Sequence, residues 1–254
     1  MQPAIHPFVF ALLLFAGMLA LLEVGHRFAM AHPKSDAEPG TIETALFALF
    51  GLLIAFTFSG AATRFQEKRM LIAEEANEIL TAYRCIDFVA SQEQPKLREK
   101  FRQYVDIRLE IYRRLPDRRA AAPALARMKQ LQEEIWAEAI VATRLPSEDP
   151  AAARMLLPAV DSMYRMTITR MMSLQNHPPG IVYGILFVLG LLCALLAGFR
   201  LSSRVKRSWL HIVSFALVTA AVVYISLDME YPRLGFIRLD QADQLLEEVR
   251  AEMD

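Results

Sequence analysis

The sequence predicts an all-α membrane protein, with four transmembrane helices in two hairpins and an inserted antiparallel four-helix bundle that extends from the membrane. Three observations carry this. Four apolar runs, residues 7–25, 41–62, 180–199 and 208–228, each approach the ~20 residues that an α-helix needs to cross ~30 Å of hydrocarbon. About 115 residues, 64–178, separate the second run from the third, and there the apolar positions narrow to one helical face. Hydrophobic residues are 54% of the chain and charged residues 22%, and the two classes are segregated by segment, as alternating lipid and water solvents require.

The first run invites comparison with a signal peptide, because Ala29-Met30-Ala31 has small residues at cleavage-site spacing. No Lys or Arg precedes the run, however, and Glu23 to Arg27 would make a long, charged cleavage region. A retained helix fits better, so residues 1–63 form the first transmembrane hairpin and 179–231 the second. With four crossings, both termini and the insert share one side. Arg27, Lys34, Arg200, Arg204, Lys206 and Arg207 in the short loops pull those loops toward the cytoplasm. Flanking charges on the insert side nearly balance them, and both orientations stay open.

Within the bundle domain, 64–178, the period is helical. Ile72, Ala76, Ile79, Tyr83, Ile86 and Ala90 alternate steps of four and three, and no strong breaker lies between residues 62 and 75. The second crossing should therefore continue into the first bundle helix, over residues 43–90. Gln94-Pro95 starts a second helix carrying Leu97, Phe101, Tyr104, Ile111 and Leu115 up to Pro116. A third is expected from Pro123, with Leu125, Met128, Leu131, Ile135 and Ile140 inward, ending near Leu145-Pro146. The fourth holds Leu156, Val160, Met163, Thr167, Met171 and Leu174, with Pro158 marking a bend or its start. Asn176-His177-Pro178-Pro179 stops it before the third crossing. Residues 232–254, after Pro232 and Gly235, form an acidic amphipathic tail suited to docking on the bundle or, alternatively, to binding a partner.

Net charge is zero, which argues against nucleic acid as a partner. Five scattered histidines, no Gly-rich phosphate loop and no nucleophile elbow leave no catalytic site, metal site or cofactor to propose. The two cysteines, Cys85 and Cys193, fall in different segments and form no disulfide framework. Three sets of residues invite function. Phe50, Ile54 and Phe58 recur at four-residue steps on the second crossing: either a pore-lining stripe, or an apolar face turned to lipid or neighbouring helices. Arg64, Lys68, Arg69, Arg165 and Arg170 form a basic collar at the membrane edge, suited to lipid head groups or to an anion-attracting vestibule. Gly190, Ala194 and Gly198 give the third crossing a small-residue packing face. Asp228 and Glu230, ending the fourth crossing, are expected at an interface that water reaches.

The stretches Gly51-LLIAFTFSGAATRFQEKRMLIAEEANEI-Leu80, Leu156-LPAVDSM-Tyr164, Asn176-HPPGIVYGILFVLGLLCALLAG-Phe199 and Trp209-LHIVSFALVTAAVVYISLDMEYPRLGFIRLD-Gln241 resemble the bacterial bestrophin-like membrane family. The resemblance covers nearly all of 41–245 and includes charged and proline-containing stretches that hydrophobicity alone would not generate. It is similar in plan, more distantly, to the bestrophins, which are pentameric anion channels. That likeness implies a multi-pass protein of the bacterial inner membrane, a homo-oligomer passing anions, with the insert in the cytoplasm. It further implies a narrow neck lined by apolar residues at four-residue steps on the second membrane helix, the pattern of Phe50, Ile54 and Phe58. The acidic calcium clasp of the animal channels has no counterpart here. A non-conducting membrane scaffold or sensor, whose bundle binds a ligand or partner, is the alternative.

Overall fold

The computed structural model describes residues 6–31, 41–114, 117–144, 151–174, 176–200, 209–231, 236–237 and 240–254. The breaks expected at Pro116, Pro232, Gly235 and residues 145–150, and the loop residues His32, Lys34, Arg204, Lys206, Arg207, Arg233 and Arg238, lie outside these. Among the described residues eight α-helices follow in order: α1 (Pro7–Ala31), α2 (Thr41–Arg84), α3 (Gln94–Arg114), α4 (Arg118–Arg144), α5 (Ala152–Ser173), α6 (Gly180–Arg200), α7 (Trp209–Glu230) and α8 (Asp240–Ala251). Helices α1, α2, α6 and α7 are long and apolar enough to cross a membrane. Two compact units result: Met1–Phe65 with His177–Ile237, and Gln66–Asn176 with Arg238–Asp254. Helix α2 supplies residues to both.

In the membrane unit, α1 is the helix against which both α6 and α7 pack. Its contact with α6 is set by glycine. A Cβ on Gly198 would collide with the backbone of Leu22, and one on Gly25 with the carbonyl of Leu195. Lipid offers no hydrophobic gain for bringing two apolar helices together, so close backbone approach and dispersion must supply the attraction. Leu14, Met18, Leu22, Leu186, Cys193 and Ala194 fill the seam.

In the bundle unit, α3 packs on α4 and α8, and α4 on α5. Large side chains make its core: Phe101, Tyr104, Ile79, Ile86, Ile111, Leu131 and Ile135 are all fully buried. Leu246, Val249 and Met253 of α8 and the segment after it join this core. Tyr83 donates to the Met253 carbonyl at 2.9 Å, and Arg102 to the same carbonyl at 2.8 Å. Cys85 is buried here and Cys193 in the membrane unit, and both are free thiols.

Two helix limits differ from the sequence expectation, for local reasons. Helix α2 does not run to Ala90. It ends at Arg84, followed by a 3₁₀ turn at Cys85–Phe88 and an extended Val89. The Gln94 side chain donates to the Val89 carbonyl at 2.9 Å and the Asp87 carbonyl at 3.3 Å, satisfying acceptors that a continuing helix would have used. Helix α4 begins before Pro123. Asp117 caps it, accepting from the Arg119 and Ala120 amides at 2.9 and 3.2 Å, and Pro123 sits exposed inside the helix. Pro158 likewise lies within α5.

Candidate functional site

On α2 the three stripe residues differ in environment. Phe50 is 3% exposed, its ring set over Gly190 of α6 beside Leu14 of α1; a Cβ on Gly190 would lie 3.2 Å from it. Ile54 packs partly against the same core, and Phe58 is 40% exposed. Helical geometry explains the drift. A four-residue step overshoots a 3.6-residue turn by about 40°, so two steps rotate the stripe by about 80° from the core toward the outside. Leu52, Phe56 and Ser59 continue the exposed side. Of the four crossings α2 is the least covered: 11% of its most apolar stretch is buried, against 28%, 33% and 39% for α1, α6 and α7.

Gly190, Ala194 and Gly198 all face inward, Gly190 toward Phe50 and Leu14, Gly198 toward Leu22. The collar residues differ in environment. Arg69 and Arg165 are exposed, Arg165 pairing with Asp161 at 3.0 Å. Lys68 is buried in the bundle unit, and Arg170 is buried beside Glu75, so neither is presented to lipid head groups. Arg64, in the membrane unit, turns onto Glu230 of α7, with Nε 2.7 Å from Oε1. The expectation that water reaches Asp228 and Glu230 is corrected too, since both are fully buried. The chain after α7 returns over Asp228, which accepts from the Phe236 and Ile237 amides at 3.0 and 2.8 Å, while Arg64 covers Glu230.

The buried charge cluster of the bundle went unnoticed at the level of sequence. Glu75 on α2 is bonded by Arg108 of α3 and Arg170 of α5, and the Tyr112 hydroxyl donates to it at 2.8 Å. Arg170 stacks on the Tyr112 ring, 3.8 Å from its centroid. Burial alone would push the Glu75 carboxyl up; the attraction of Arg108 and Arg170, with the hydrogen bonds from Tyr112 and Arg170, outweighs it and holds the carboxyl below its usual range. Burial also pushes the Tyr112 hydroxyl well up, so it stays a neutral donor. A signal existed. Arg108 fills the step between Tyr104 and Ile111 on the buried face of α3, and Arg170 continues the series Met163, Thr167 on α5.

A family model described as the bestrophin-like domain matches residues 12–243. No curated protein matches the chain. Among solved structures, a mutant of a bacterial bestrophin homolog from Klebsiella pneumoniae is similar with TM-score 0.62 and 15% identity, over 96% of this chain and 98% of that one. A second, described as a membrane protein variant, is similar with TM-score 0.64 and 15% identity, over 98% and 99%. At that identity the likeness to these structures speaks for the fold. The matched model spans both apolar hairpins and the bundle between them, and the chain belongs to the bestrophin-like family.

Proposed function

We propose that this membrane protein is an oligomeric, anion-preferring channel of the bacterial inner membrane, with α2 lining the pore. The observation that carries the reading is the thin covering of α2 within the protomer, which leaves a broad apolar face, including Phe58, for an axis or a neighbouring copy. An exposed ring of such side chains, repeated around an axis, makes a constriction that gates by dewetting. Family membership supports the reading, as does the fold shared with the Klebsiella pneumoniae bestrophin homolog. Both termini and the bundle lie on one side of the membrane, and Arg69 and Arg165 supply exposed positive charge there. No enzymatic step is assigned.

The burial of Phe50 favours a second reading, a non-conducting scaffold or sensor in which the stripe is partly packing and the bundle binds a ligand or partner. Purified protein in lipid nanodiscs, and then in planar bilayers under a chloride gradient, separates the two. The channel is expected as a ring-shaped oligomer that conducts, with Phe58→Ala altering its gating while the oligomer persists. A robust oligomer that conducts under no ion gradient sinks the channel.

A further inference from the structure

Glu230, at the C-terminal end of α7, is a carboxylate approached by groups from two other crossings, α2 and α6. From α2, Arg64 donates to Oε1 through both Nε and Nη2. From the turn that opens α6, His177 places Nδ1 3.7 Å from Oε2, beyond hydrogen-bond distance, with its ring stacked on Tyr231 at 4.6 Å. Within α6, the buried Tyr183 hydroxyl lies within electrostatic reach of both Glu230 and Arg64. Neither His177 Nδ1 nor the Tyr183 hydroxyl has a hydrogen-bond partner among the described residues. Buried polar atoms are nearly always satisfied, so two unoccupied ones beside an engaged carboxylate call for an explanation.

The ion pair matters because of the helix it restrains. Helix α2 is tied to its neighbours by the Glu43–Arg200 pair near its start, by Phe50 over Gly190 and Phe47 against Phe215 along its length, and by Arg64–Glu230 at the other membrane edge. Moving α2 away would ordinarily strand the Glu230 charge. Leaving a buried charge uncompensated is strongly destabilising, which keeps the helix fixed. The neighbouring His177 and Tyr183 are donors that would offset part of that penalty.

We propose that Glu230 is the shared acceptor of a two-position latch on α2. In the held position Arg64 occupies the carboxylate. In the released position His177 and Tyr183 occupy it, and α2 moves without abandoning a buried charge. The latch rests on the reading of α2 as the pore helix and adds regulation to it.

Four single variants of the full chain in nanodiscs test this, read by open probability and by hydrogen exchange of the α2 amides over residues 60–66. Arg64→Gln and Glu230→Gln should raise open probability and accelerate exchange, by about tenfold. The combined variant should add little to either alone. His177→Ala and Tyr183→Phe should act in the opposite sense, slowing exchange and lowering open probability, because only the released position loses its donors. Tyr183→Phe keeps the ring, so this arm survives if a charge variant folds poorly. A merely structural cluster would loosen in all four variants, and that result overturns the latch. Opposed exchange effects in a protein that never conducts would support the latch and end the channel reading. Conduction with exchange accelerated by all four variants would do the reverse.

Discussion

In the membrane unit α1 and α6 approach until Gly198 meets the backbone of Leu22, whereas the bundle fills its interior with Phe101, Tyr104, Leu131 and Ile135. The difference follows from the solvent. Against water, each large apolar side chain that is buried contributes about 1.5–3 kcal/mol, so a bundle gains by being bulky inside. Against lipid that gain vanishes, and stability comes from the fit that small residues permit. Polar groups divide the same way. The bundle sequesters a whole cluster around Glu75, while the membrane unit sets a half-buried Arg64 against Glu230, the last residue of α7.

The largest effect expected is from breaking the glycine contact. Gly198→Leu forces α1 and α6 apart against backbone atoms that cannot yield, at a cost beyond the ~1–3 kcal/mol of ordinary overpacking. Loss of the monodisperse species on size exclusion in detergent checks it. Next is Glu75→Gln, which leaves Arg108 and Arg170 buried with no carboxylate and should cost about 3–5 kcal/mol in thermal unfolding of the bundle. Acid tests the same group. Because the folded carboxyl lies below its usual 4.5, its contribution is complete above that value and is lost as pH falls through the lower folded value. The bundle transition of wild type should therefore weaken in strong acid more than that of Glu75→Gln. Smallest is Arg165→Ala, which removes an exposed pair with Asp161 and should shift stability by less than about 1 kcal/mol.

The fold was legible because its signals are local and periodic: runs long enough for a bilayer, and apolar steps of three and four in the insert. Those steps persisted through the 3₁₀ turn at Cys85–Phe88, since Ile86 and Val89 still point inward, and so the true end of α2 was hidden. The site was less legible. Arg64 and Glu230 are 166 positions apart, and no spacing rule connects them. Arg170 and Glu230 look like surface charge in a linear reading; only the pairing of distant helices makes their burial tolerable. Arg108 could have been found, as a charge occupying a core step of α3.

The placement of the two cysteines has a practical consequence. Cys85 and Cys193 are the chain's full complement of thiols; both are buried, and burial with the nearby Asp87 pushes the Cys85 thiol further from ionisation. Maleimide chemistry should thus meet a silent background in the folded protein. A cysteine introduced at Ser59 or Arg69 gives a single attachment point for a spin label or fluorophore, one on each unit, without removing a native residue from either core.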